Sequence, residues 1–266
     1  MDKVELCKQI KDVTRQVMVV GEDRILKTGT GVTIDDRGVV LTAGHVLCDD
    51  SGELLNGRVI VDTDDGQVEH EPMFSGDLGF EHGHKGISGD INIDLNVLLP
   101  PEGLSEQNYL PLHEPVCEVG EDVILAGYPD EITLEFDPED MVDYDAFGGD
   151  PRSRLQREVF SELFKPEMLK RGMVGNVQHV VLNNIDLRSI GVNKMVTIEG
   201  AYYAIDTHLT TGGSGGAVVN RDGELMGIVI RRSKTELDNR LLRLIPAGTG
   251  VAVSHHLMTW ALDIVE

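Results

Sequence analysis

Ser214 sits between glycines on both sides, in Gly212-Gly213-Ser214-Gly215-Gly216, just after Thr210 and Thr211. Glycine tolerates backbone angles that no β-carbon would, so this stretch can form a tight turn that exposes the hydroxyl and aims neighbouring N–H groups at one point. Converging N–H groups of this kind stabilise a developing oxyanion. A hydroxyl is a poor nucleophile at neutral pH, so the chemistry needs an imidazole to take its proton and a carboxylate to orient the imidazole. His45 follows the short apolar run 39–42 and the small residues Ala43 and Gly44. Asp94 precedes the apolar run 95–99. Asp90, ahead of Ile91-Asn92-Ile93, offers a similar pattern, and the longer run after Asp94 favours the latter.

Each of these residues needs a rigid element behind it. The runs 217–219 and 225–230, separated by Asn220-Arg221-Asp222-Gly223, predict a β-hairpin directly after the serine turn. The glycine-rich Thr28-Gly29-Thr30-Gly31 lies in a predicted strand over 27–35, where close approach of another segment accounts for its glycines. Further strands are predicted over 16–21, 58–63, 173–182, 195–199, 201–206 and 248–253. Leu6, Ile10, Val13 and Val17 recur at helical spacing and predict an N-terminal helix against the first sheet.

The order His45, Asp94, Ser214 and the motifs around each resemble the chymotrypsin-like (trypsin-like) serine proteases, in particular the HtrA-type branch, over most of the chain. The resemblance implies an all-β fold of two six-stranded antiparallel barrels, with N-terminal and C-terminal helices and a helical insertion in the second barrel. The first barrel, residues 1–112, would carry His45 and Asp94. The second, residues 113–266, would carry Ser214, an insertion over 130–172 and a closing helix over 254–265. The implied activity is that of a serine endopeptidase acting on protein or peptide substrates, with the oxyanion hole at Gly212, Gly213 and Ser214. The run Gly227, Ile228, Val229 and Ile230 would pair with extended substrate as an added strand. His208, with Thr210 beside it, falls where the family places the floor of its primary specificity pocket; the other reading has His208 pointing to solvent. Family zymogens place an acid just before the nucleophile to pair with a newly cut N-terminus, and Gly213 stands there instead. The same fold could also serve as a non-catalytic peptide-binding module, against which the presence of all three catalytic residue types argues.

Composition narrows the remaining classes. A net charge of −23, from 46 acidic and 23 basic residues, opposes nucleic acid binding and gives a self-repelling exterior. Nine lysines against fourteen arginines, in so acidic a chain, hint at a salt-adapted host. Three widely spaced cysteines, Cys7, Cys48 and Cys117, do not make a disulfide framework, and no segment has the length of a membrane span. The start of the chain lacks the apolar core of a secretory leader, so the expected location is cytoplasmic.

Two segments fit no part of the core pattern. Residues 64–90 predict a polar surface loop, in which His82 and His84 suggest a metal site that the surrounding glycines leave without rigid support; no metal or cofactor is expected. The second is the insertion. It begins acidic, then predicts a helix with Asp150 as N-cap, Pro151 at its first position and Leu155, Val159, Leu163 and Phe164 on one face. That face is expected to pack on the second barrel, or alternatively to act as a lid or to bind a regulatory partner.

Overall fold

The structure is a computed structural model that describes residues 2–49, 51–74, 78–84, 87–129, 155–156, 159, 166–186, 195–207, 212–236 and 244–258. Helix α1 (Lys3–Val13) leads into β1 (Thr14–Val20), β2 (Ile25–Thr33), β3 (Val40–Thr42), β4 (Arg58–Thr63) and β5 (Gly66–Pro72). The hairpin of β6 (Leu78–His84) and β7 (Ile87–Ile93) stands apart as a two-stranded sheet. Strand β8 (Asn96–Leu99) completes a closed barrel in the order β1-β2-β3-β8-β5-β4.

The second barrel contains β9 (Asp122–Gly127), β10 (Met168–Asp186), β11 (Met195–Asp206), β12 (Ala217–Val219), β13 (Leu225–Glu236) and β14 (Leu244–Ser254). Its order is β10-β11-β14-β13-β12-β9, and every pair in both barrels is antiparallel. Closure removes the free sheet edges that would otherwise invite association.

The strands form where apolar residues recur. Val17, Val19, Val32, Val40 and Val97 fill the first barrel, and Val123, Leu125, Val174, Tyr203 and Met226 fill the second. Leu6, Ile10 and Val13 of α1 are buried in the same cluster as the first barrel, but Ala126, Ala217 and Ile228 of the second belong to it too. The helix thus shares one buried core with the first barrel and with these residues of the second.

Several expectations change. Strand β10 begins at Met168, in register with Gly127 of β9, so residues 168–172 are barrel wall and the insertion ends before them. The segment 64–90 is not an irregular loop. Val68 and His70 turn inward from β5 while Gln67, Glu69 and Glu71 face water, a half-buried strand written in polar letters. His70 is 2% exposed, its ring nitrogens lie 3.2 Å from the carbonyls of Val68 and Gly38, and burial holds it below the usual imidazole range. The side chains of His82 and His84 lie outside the described residues.

Of the insertion helix, Leu155, Gln156 and Val159 are described. They line a cavity with Met18, Val20, Ile60 and Gln67 of the first barrel, not the second barrel against which the sequence set them. Residues 130–154 and 160–165, including Leu163 and Phe164, lie outside the described residues. A 3₁₀ turn over His255–Met258 follows β14, with Ser254 Oγ accepting the His256 N–H at 3.2 Å, and the rest of the expected closing helix lies outside them too.

Candidate active site

His45 stands in a 3₁₀ turn (Gly44–Val46) that ends β3. Backbone bonds from Val46 to Ala43 and from Leu47 to Gly44 close the turn, at 3.0 Å each. The Val46 side chain packs over β2 so closely that a β-carbon on Gly29 would come within 2.6 Å of it. Gly29 of the glycine-rich motif thus leaves room for the histidine turn, and Gly31 leaves room for Val40 of β3.

Asp94 lies between β7 and β8 and bonds His45 twice. Oδ2 is 2.8 Å from the ring Nδ1, and Oδ1 accepts the His45 backbone N–H at 2.9 Å. With Nδ1 as the donor, Nε2 is left as a base. Asp90 sits on β7 opposite Glu81, within the separate hairpin. The geometry therefore favours Asp94 over Asp90 as the partner of His45.

Ser214 reaches the same place from the second barrel. Its carbonyl accepts the Thr30 N–H at 2.8 Å, on the strand beneath the histidine turn. Gly215, with φ +86°, passes so close that an added β-carbon would lie 1.8 Å from the Thr30 carbonyl oxygen and 2.6 Å from Thr42 Oγ1. Only glycine fits there. Gly216 N–H returns to the Gly213 carbonyl at 3.0 Å and Gly215 N–H to the Val229 carbonyl at 2.7 Å, which completes the turn. The N–H groups of Gly212, Gly213 and Ser214 donate to no acceptor among the described residues. In this state no hydrogen bond joins the Ser214 hydroxyl to the His45 ring. Contacts of this kind often tighten only when substrate is bound.

The strand proposed to receive substrate is displaced. Gly227 pairs with both Val218 and Ser254, and Ile228 with both Ala217 and Val253. Val229 exchanges bonds with Gly215 and Gly216 on one side and pairs with Ala252 on the other. An added strand has no room along 227–229, because the barrel itself occupies both edges. Beyond Val229, Arg231 and Arg232 pair only with β14 among the described residues, so the open edge starts at Ile230. His208 and Thr210 lie outside the described residues. Sequence reasoning also missed the part played by Thr30 and Thr42, which meet the serine turn from the facing barrel, and by Gly127 of β9, where an added β-carbon would lie 3.1 Å from Gly213 Cα.

Among the described residues no three His, Cys, Asp or Glu side chains converge in a way that could hold a metal ion. Cys7, Cys48 and Cys117 form no disulfide, and Cys48, three residues after His45, is buried. Among the described residues no helix is long and apolar enough to cross a membrane.

Residues 29–228 match the family of trypsin-like peptidase domains, and the chain belongs to that family. That family places the fold and the site in the class of trypsin-like peptidases. Among solved structures the chain is similar to a serine endoprotease from Yersinia pestis, with 18% identity and a TM-score of 0.57, covering 100% of this chain and 66% of that one. It is also similar to the Rv3671c protease from M. tuberculosis. An inactive form of that protein gives 16% identity and a TM-score of 0.54 over 99% of this chain and 91% of that chain. The active form gives 16% identity and a TM-score of 0.53 over 97% and 82%. At these identities the likeness speaks for the fold. No curated protein matches the sequence.

Proposed function

We propose that this chain is a serine endopeptidase in which Ser214, His45 and Asp94 act as the triad. Ser214 Oγ attacks the carbonyl carbon of a peptide bond while His45 Nε2 takes its proton, and Asp94 holds the Nδ1–H tautomer and stabilises the imidazolium. The N–H groups of Gly212 and Ser214 receive the oxyanion, where each such donor contributes on the order of 10²–10³ in rate. The amine leaves with the proton from His45, forming an acyl-enzyme. Water then attacks that ester with His45 again as base, and Ser214 is released. Substrate lies along the open edge that begins at Ile230.

The observation that carries this reading is the double hydrogen bond from His45 to Asp94, on a turn that rests on the same strand as the Ser214 turn. The site is divided between a first unit over 1–112 and a second over 113–266. Insertion residues near the first barrel gate access, directly or by taking up a partner protein. Cys7, Cys48 and Cys117, none of them in a disulfide, suit a cytoplasmic setting.

The test is covalent labelling with a fluorophosphonate. Labelling of the parent protein and its loss in Ser214→Ala are expected. A folded parent protein that does not label would overturn constitutive catalysis and leave a partner-gated enzyme or a peptide-binding role.

A further inference from the structure

We infer that Thr30 is a positioning residue for the oxyanion-binding turn, an inference that rests on the endopeptidase reading above. Thr30 is fully buried in β2, on the barrel opposite the nucleophile. Its hydroxyl donates to the Gly212 carbonyl at 2.8 Å, and its N–H donates to the Ser214 carbonyl at 2.8 Å. Gly212 and Ser214 are the two residues whose N–H groups receive the oxyanion. One residue thus fixes both of their carbonyls from behind.

Thr30 is itself held. Its hydroxyl accepts the Tyr128 N–H at 3.0 Å, and its carbonyl accepts the Thr42 hydroxyl at 2.7 Å. The acceptor role toward Tyr128 orients the hydroxyl proton toward Gly212, so the donor direction is set by the site rather than by free rotation. Gly212 has φ +83°, in a glycine-rich turn with many alternative conformations of similar energy. Anchoring its carbonyl selects one of them. The Gly212 carbonyl shares a peptide plane with the Gly213 N–H, and the Gly213 carbonyl, held by the Gly216 N–H at 3.0 Å, shares one with the Ser214 N–H, so the anchor at Gly212 fixes the plane that leads into the donor at Ser214.

This is a role for a side chain, separate from the backbone contact that any residue at position 30 could make. Thr30→Val keeps the shape and removes the hydroxyl, Thr30→Ser keeps the hydroxyl, and Thr30→Ala removes the hydroxyl with the least steric demand. Each is compared with the parent protein in peptide hydrolysis, in binding of a peptide boronate and in binding of the cleaved product peptide. Loosening the turn misplaces donors that individually contribute on the order of 10²–10³ in rate.

Valine is expected to lower kcat at least about tenfold with KM little changed, and to weaken the boronate in parallel while product binding stays constant. Serine is expected to restore kcat to within about threefold. If Thr30→Val does not fold, Thr30→Ala carries the same expectation. Unchanged kcat in the folded hydroxyl-free variant, or equal losses in boronate and product binding, overturns the role of Thr30 and leaves the endopeptidase reading intact. A parent protein that neither hydrolyses peptides nor labels at Ser214 overturns both.

Discussion

Asp94 takes both the ring and the backbone of His45, at 2.8 Å and 2.9 Å, so one carboxylate sets the tautomer of the imidazole and the position of the turn that carries it. Asp94→Asn separates these effects from bulk, because the amide has the same shape but offers an N–H where Nδ1–H needs an acceptor. The expected result is a fall in kcat of about 10⁴ with near-parental KM and melting temperature, read by steady-state hydrolysis of a peptide.

Gly215→Ala attacks the fit between barrels. The new methyl carbon has only 1.8 Å to the Thr30 carbonyl, and the backbone is already in the left-handed region at φ +86°. The Thr30 carbonyl is backbone, not the end of a flexible side chain. The change is expected to cost more than about 4 kcal/mol in urea unfolding and to abolish labelling of Ser214.

Stability should respond to acid through His255, whose pKa is pushed down to about 3 by burial and then by the neighbouring His256. The unfolded chain binds this proton near the ordinary value of about 6.5. The contribution is therefore complete above about pH 6.5 and is lost as pH falls toward 3. His255→Leu is expected to flatten the melting temperature over that range, measured by circular dichroism at a series of pH values.

Glu167 has the opposite sign. Burial raises its carboxyl to about 7, and the Lys11 ammonium at 3.7 Å only partly offsets this. Its favourable contribution is complete below the ordinary value of about 4.5 and is lost as pH rises through 7. Glu167→Gln should gain on the parent protein by up to about 3 kcal/mol between those limits, measured as the difference in urea midpoints.

The residues proposed to react were legible because small-residue turns mark them. His45 follows Ala43-Gly44, and Ser214 is framed by glycine. The strands behind them were legible wherever valine and isoleucine recur. Strand β5 was not, because its inward positions include a histidine whose ring bonds to carbonyls of Val68 and the distant Gly38. The early start of β10 was hidden in another way: Met168 to Gly172 read as the tail of an insertion until β9, some forty residues earlier, is seen beside them. The resemblance set 227–230 as a docking edge; the apolar pattern says only that the run is a strand, and says nothing about neighbours on either side. Thr30 was seen as a small residue in a crowded strand. Its acceptor is Gly212, 182 positions away, and no local pattern encodes such a bond.

The proposed reacting groups come from opposite sides of a seam that Thr30 and Gly215 close. A displacement of about 1 Å between reacting groups can cost about a hundredfold in rate. Hydrolysis is therefore a finer gauge of how the halves sit than any melting curve. Drift in either core that spares the fold but shifts the seam would silence this chain well before it unfolds it.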